Sequence, residues 1–351
     1  MSETVQNLLS SSTPPVTVCV PVRNGSKTIR CTLDSILAQD YPNFEVIVSD
    51  NCSTDDTASI IQEYADRGVK YYLNPKLEAW GESNWNNVLS LASGPFIALY
   101  HADDIYTPTM VRRQAEFLQA HPEVSSVFTG TQCIDEFDRP IRLKSTPFPD
   151  EYKGQEVFEF PELFNAVLKY GNFMTVPTLM TRRETLDAVG VFNHQEFATA
   201  SDIDLWLRMA RWRPIGIINE PLHRYRVSSQ QGSVQLNKRR THLAHFFWVI
   251  DHYLNKPDVK HIIQSSALTI YQRHRNRDYV ICAVNLLELG RAKEAMTCLK
   301  TALRASPRPG RFRLLVGVVL LVSIWLGLGI ITGHVIYRLY QWILRRQRRP
   351  I

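Results

Sequence analysis

The sequence predicts an α/β protein: a Rossmann-like sheet flanked by helices, followed by a helical region and a hydrophobic membrane segment. Three observations carry this. Over the first hundred residues, short apolar runs alternate with segments of helical spacing. Residues 236–305 keep a helical pattern with few strand signals. Finally, Leu314–Tyr337 is a run of 24 residues without Asp, Glu, Lys or Arg.

Each element follows from its residues. After the Ser/Thr/Pro-rich stretch that ends at Pro15, "VTVCVPV" (16–22) and "FEVIVSD" (44–50) read as short buried strands. "SKTIRCTLDSILAQ" (26–39) between them spaces its apolar residues as a helix does. A helix over 55–66 follows, with Ser53, Thr54 and Asp55 as its capping cluster. A strand at 69–73, a helix near 82–92 and a strand at 95–100 complete the alternation. From about 124 the pattern loosens into short strands, a helix at 157–170, a stretch around Thr178–Thr181 and a helix at 202–212. "IGIINEPLHRYRV" (215–227) closes the sheet region. Farther on, "VICAVNLLELGRAKEAMTCLKTALRASP" resembles one tetratricopeptide-like helical hairpin, with Gly290 at its turn. One such unit cannot build a solenoid, so it is expected to pack as an appendage.

Charge is distributed unevenly. The net charge is +6, but residues 295–351 hold ten Lys or Arg and no Asp or Glu, leaving about −4 on the rest. That argues against a nucleic-acid-binding body and for a tail that meets an anionic membrane surface. At 1.5 Å per residue, Leu314–Tyr337 is long enough to span a bilayer core of about 30 Å. Arginines flank the segment on both sides, and Gly327, Gly329 and Gly333 interrupt it. A single span and a re-entrant hairpin with an interfacial helix therefore both remain open. The six cysteines are scattered without a C-x-x-C pair, as expected of isolated apolar residues in a reducing compartment. The first fourteen residues lack the basic and apolar regions of a signal peptide and are expected to be flexible. The protein is thus expected to be membrane-associated, with its body facing the cytoplasm.

In parallel sheets, ligands gather at the carboxyl ends of the strands. Val22–Asn24, Asp50 and Asp103–Asp104 all fall at such ends. Adjacent carboxylates where a strand leaves the core are costly unless something positive sits between them. A hard divalent cation, often accompanied by phosphates, fits that need. Neither a Walker A loop nor a G-x-G-x-x-G after the first strand is present, so a metal-bridged diphosphate here points to a nucleotide-sugar.

Three segments in order, "VTVCVPVRNGSKTIRCTLDSILAQDYPNFEVIVSDNCSTDDT", "LASGPFIALYHADDIYTP" and "ASDIDLWLRMA", resemble glycosyltransferase family 2, inverting enzymes of the GT-A fold. The resemblance covers about residues 15–235, leaving 236–307 as a helical appendage and 308–351 as the membrane segment with its basic tail. It implies that Pro21, Val22, Arg23 and Asn24 form the loop receiving the nucleobase, with Arg23 where members often carry an aromatic residue. Asp50 corresponds to the aspartate that bonds the base edge. Asp103 and Asp104 match the D-x-D-type motif. Asp104 is implied as the ligand of Mn²⁺ or Mg²⁺, and Asp103 as a support of the ribose or the metal's water. Asp202 matches the catalytic base, a carboxylate needed because an acceptor hydroxyl is a poor nucleophile. The metal offsets charge developing on the leaving diphosphate. Asp202 begins a helix, where the dipole favours its ionised form.

Other residues are read more plainly. Arg226 and Gln231 are candidates for the diphosphate, and Ser228 stands where members often carry histidine. Asp204 is assigned to structure, and Trp206 and Arg208 to packing and ion pairing. Asp55 and Asp56 are helix-start carboxylates. His101 is expected to pack beside the aspartates rather than ligate. Asn84, Trp85 and Asn87 are placed where members touch the donor, with helix packing as the simpler role. The expected activity is transfer of a sugar from a UDP- or dTDP-sugar to a glycan or polyprenyl-linked acceptor at the membrane. A nucleotidyltransferase would need a Gly-rich loop with Arg and Lys after the first strand, which "PVRNGSKT" does not supply. A non-catalytic subunit of a membrane glycan-assembly complex is the other reading, and the intact Asp50, Asp103, Asp104 and Asp202 argue against it.

Overall fold

The computed structural model describes residues 13–74, 77, 81–141, 148–227 and 240–305. Gln231, Ser228 and the apolar segment 314–337 therefore lie outside the described residues. No helix among the described residues is long and apolar enough to cross a membrane.

The described residues fall into two compact units. The first contains residues 13–227 and 248–264 and is built on one sheet with strand order β3-β2-β1-β4-β8-β6-β9-β5. β1 (Val16–Val22), β2 (Phe44–Asp50), β3 (Val69–Leu73) and β4 (Phe96–Leu99) run parallel. β1 is buried along its whole length, which explains its continuous apolar run in place of alternation. β8 (Leu179–Arg182) lies antiparallel to β4 and to β6 (Ser126–Ile134). β9 (Ile215–Arg226) runs parallel to β6, and two-residue strands β5 (Ile105–Tyr106) and β7 (Val157–Phe158) pair antiparallel with β9. The sheet is thus mixed, as a GT-A fold requires.

The order reverses at β1: β2 and β3 lie on one side, β4 on the other. Crevices at the carboxyl ends of strands open at such a switch point. The residues after Val22 and after Leu99 leave the sheet there.

Helices cover the sheet. α1 (Ile29–Leu37) buries Ile29, Thr32, Leu33 and Ile36, the i, i+3, i+4, i+7 stripe its spacing predicts. α2 (Thr57–Gln62) is shorter than the expected 55–66 helix and is followed by a separate 3₁₀ turn at Ala65–Arg67. Of the expected capping cluster, Asp55 accepts from the Thr57 N–H at 3.1 Å, while Ser53 and Thr54 bond elsewhere. α3 (Gly81–Leu91) precedes β4, and α4 (Met110–Ala120) follows β5. The expected 157–170 helix divides into β7 and α5 (Phe160–Tyr170). α6 (Arg183–Val189), α7 (His194–Phe197) and α8 (Ser201–Trp212) follow. α9 (His245–Leu254) and α10 (Pro257–Lys260) come next, and residues 248–264 return to this first unit. There Tyr253 donates to Asp204, and Asn165 bonds the backbone of Ile262 and Gln264.

The second unit, residues 240–247 and 265–305 as described, is a helical hairpin of α11 (Ser265–Glu288) and α12 (Ala292–Ala305). Ala283, Leu286, Ala295 and Leu299 form its core. Gly290 turns the chain at φ +73° with open space around its Cα, so its conformational freedom is what the turn uses. Arg240 and Asp278 form a buried bidentate ion pair at 2.6 and 2.7 Å.

Candidate active site

Two loops at the carboxyl edge of β1 and β2 are fastened to one another. The Asn24 N–H donates to Ser53 Oγ at 2.8 Å, and Asn24 Oδ1 accepts from the Thr54 N–H at 2.8 Å. The Gly25 N–H donates to Thr57 Oγ1 at 2.8 Å and the Ser26 N–H to Asp55 Oδ2 at 3.2 Å. Asn24 and Cys52 adopt positive φ of 51° and 55°, a cost such fastening sustains. Pro21 and Val22 are the last residues of β1 and are buried; Arg23 and Asn24 are exposed beyond them. This is a preformed floor whose lip is Arg23 and Asn24.

Asp50 closes β2 and is 1% exposed. Its Oδ1 accepts from the Ser53 N–H at 2.9 Å and its Oδ2 from the Tyr71 hydroxyl at 3.0 Å. Burial, and then the bond to Asp50, pushes the Tyr71 phenol up to about 12, so it remains a donor. Each carboxylate oxygen has a further lone pair for another donor.

The two adjacent aspartates after β4 are distinguished by their surroundings. Asp104 is fully buried. Its Oδ1 accepts from the Arg226 N–H at 2.9 Å, and its Oδ2 lies 2.9 Å from His223 Nε2. A carboxylate only accepts, so His223 Nε2 donates, and in the neutral ring Nδ1 accepts from Thr131 Oγ1 at 3.1 Å. Asp103 is only partly buried. The backbone on either side of Asp103 is held from α1 and its N-cap: Thr28 and Thr32 donate to the Ala102 carbonyl at 3.0 Å, and Thr32 also reaches the Asp104 carbonyl at 2.8 Å. β9 thus supplies two hydrogen-bond donors to the Asp104 carboxylate.

His101 completes a cluster. One ligand atom each from His101, Asp103 and Asp104 lie within 4.8 Å of one another. His101 Nε2 is buried and has no hydrogen-bond partner. Burial, with His223 pressing the same way and Asp104 opposing, pushes the ring down to about 4. Two carboxylates and a neutral imidazole form a donor set that suits a divalent cation.

Asp202 is the second residue of α8, and Asn172 Nδ2 donates to its Oδ2 at 2.9 Å. A chain of side chains ties it to the aspartate pair. Thr131, bonded to His223, lies 3.4 Å from Thr175 Oγ1, and the Met174 N–H beside it donates to Asn172 Oδ1 at 3.1 Å. The loop carrying Asn172 and Thr175 precedes β8, whose Leu179 pairs with Leu99, the last residue of β4. Asp202 therefore reaches the same sheet edge as Asp103 and Asp104. Asp204 faces elsewhere, as its spacing predicts: it bonds Arg208 Nε at 2.8 Å and Tyr253 Oη at 3.2 Å.

Several expected residues have other work here. The Arg226 guanidinium donates to the Asp103 and Asp135 carbonyls at 2.9 and 3.3 Å and pairs with Asp138, so it holds the aspartate loop. Asn84 bonds Ser49 and Asn74, Asn87 bonds Ser49, and Trp85 packs on His101 and Phe192. His223, Asn172 and Tyr71 carry no sequence signal for their roles. His223 lies 119 positions from the aspartate it serves.

The family model for glycosyl transferase family 2 matches residues 17–190. Over 205 residues the chain is 32% identical to the putative glycosyltransferase EpsE of Bacillus subtilis, covering 56% of this chain and 67% of that protein. The chain belongs to glycosyltransferase family 2. It is also 38% identical over 93 residues to a GalNAc(5)-diNAcBac-PP-undecaprenol beta-1,3-glucosyltransferase of Campylobacter jejuni, a match covering 26% of this chain and 30% of that one. Among solved structures, S. aureus TarS in complex with UDP-GlcNAc is similar at TM-score 0.58 and 19% identity, over 84% of this chain and 82% of that one. A mannosyltransferase from Pyrobaculum calidifontis in complex with GDP-Man and Mn²⁺ matches at TM-score 0.53 and 20% identity, over 91% and 86%. At these identities the structures show that the fold is shared.

Proposed function

We propose that this glycosyltransferase is a metal-dependent, inverting enzyme that takes its sugar from a nucleotide-sugar donor. The observation that carries the reading is the placement of Asp50, the Asp103–Asp104 pair and Asp202 along one carboxyl edge of the sheet. Structures of the same fold hold UDP-GlcNAc or GDP-Man with Mn²⁺, which supports a donor of that class.

The chain's own groups divide the work. The floor of Pro21–Asn24 receives the base, and Asp50 accepts from its edge. Asp202, held by Asn172, takes the proton of an acceptor hydroxyl as it attacks. Asp103 and Asp104 would hold Mn²⁺ or Mg²⁺. Such a cation, when bound, stabilises the negative charge of the departing diphosphate.

Membrane attachment and a glycan or polyprenyl-linked acceptor rest on the apolar run 314–337 and its arginine flanks. Flotation of the full chain with anionic vesicles tests the attachment, and a chain left wholly in the aqueous fraction contradicts it. The chemistry is tested by nucleoside diphosphate release from UDP-, dTDP- and GDP-sugars, with Mn²⁺ and again with EDTA. Release from at least one donor class, lost with EDTA, is expected. Release indifferent to EDTA contradicts metal dependence.

A further inference from the structure

A buried ring nitrogen without a partner calls for explanation, because nearly all buried polar groups in folded proteins are paired. His101 Nε2 is such an atom. The residue is firmly held: its N–H donates to Tyr106 Oη at 2.6 Å, its carbonyl accepts from the same hydroxyl at 3.1 Å, and the Trp85 ring lies 5.4 Å from its own. A ring so placed does not relieve its nitrogen by turning to solvent. What it has nearby is Asp103 and Asp104, with one ligand atom from each of the three residues inside 4.8 Å.

Those separations approach what one ion demands. Ligands about 2.1 Å from a common cation stand no more than roughly 4.2 Å apart. A contraction of about half an ångström therefore closes the set around an ion. Each oxygen of Asp104 accepts a hydrogen bond from β9, and Asp103 is the more exposed of the two.

We propose that His101 is itself a ligand of the divalent cation, making this a mixed imidazole–carboxylate site. The proposal rests on the metal-dependent glycosyltransferase reading above and adds to it a first-coordination nitrogen contributed by this chain. Its consequence is metal preference. Mg²⁺ favours oxygen ligands, while an imidazole raises affinity along the series from Mn²⁺ to Co²⁺. The site should therefore rank Co²⁺ and Mn²⁺ above Mg²⁺.

The test uses the full-length protein with Mn²⁺ and either UDP or GDP. Electron spin-echo envelope modulation reads directly whether a nitrogen nucleus is coordinated to bound Mn²⁺. The wild type should show that coupling. In His101→Gln the coupling should vanish and Mn²⁺ affinity should fall at least about tenfold, with a smaller loss for Mg²⁺. Bound Mn²⁺ without nitrogen coupling in the wild type overturns the assignment of His101 and leaves a carboxylate metal site standing. Coupling that persists in His101→Gln overturns it too, since the nitrogen then belongs to another residue. Absence of Mn²⁺ binding with either nucleotide overturns this proposal together with metal dependence. Because the wild-type spectrum decides alone, a variant that fails to fold does not protect the idea.

Discussion

Asp104 is a buried charge made tolerable by two donors from β9, the His223 ring and the Arg226 N–H. Removing the carboxylate leaves both donors buried without an acceptor. Asp104→Ala is expected to lower stability by about 2–4 kcal/mol, measured as a shift in urea midpoint at unchanged slope. A loss below about 1 kcal/mol contradicts this anchoring role. Asp55 offers a test in pH. Burial tends to raise its carboxyl, but hydrogen bonds from Ser26 and Thr57 outweigh it and hold the group at about 2. Its folded value lies below the ordinary 3.8, so its contribution is full above about pH 4 and is lost as pH falls toward 2. Because the group is exposed, the effect should stay below about 1 kcal/mol. Asp55→Asn should flatten the acid limb of the stability profile between pH 4 and 2, and an unchanged limb refutes the assignment. At this scale the sequence exposes the carboxylates but not their partners. Asp50, Asp103, Asp104 and Asp202 stand at strand or helix ends and can be read there, whereas His223 and Asn172 act through pairings no local pattern encodes.

Among the elements, the β6–β9 pairing carries an irregularity in register. Register shifts fall on either side of Gly130, and a Cβ there would meet the Glu220 carbonyl oxygen at 2.7 Å. Backbone cannot step aside as a flexible side chain can. Gly130→Ala should therefore cost about 1–3 kcal/mol and weaken nucleotide binding in proportion to the displacement of β9, which carries His223 and Arg226. Unchanged thermal stability in this variant contradicts the close approach. The parallel strands are legible because β1 and β4 are buried along their whole length and β2 over its last five residues, which gives short, mainly apolar runs. α4 is not, although it buries Met110, Val111, Gln114, Ala115 and Leu118 in a helical stripe. Gln114 interrupts that stripe in the sequence, and only the fold explains it: it bonds Tyr100 and the Thr178 carbonyl at 2.9 and 2.7 Å. β5 and β7, at two residues each, are too short to show a period.

For the molecule as a whole, the sequence separates a sheet-based body from a helical hairpin and a basic apolar tail. The fold adds that residues 248–264 belong with the body, joined through Tyr253 to Asp204 and through Asn165 to Gln264. That return is invisible in sequence because it depends on polar bonds across some 50 to 100 positions. The same long-range wiring unites the site: Asp104, His223, Thr131, Thr175, Asn172 and Asp202 come from five separate segments and meet at one edge. We propose that this edge performs sugar transfer with Asp202 as its base. It is tested most directly by nucleoside diphosphate release from the preferred sugar donor, with membrane-extracted acceptor, by wild type and Asp202→Asn at equal folded concentration. Asp202→Asn should bind the donor with affinity close to wild type and turn it over about 10²- to 10⁴-fold more slowly. Turnover within a few-fold of wild type would mean that another group takes the acceptor's proton.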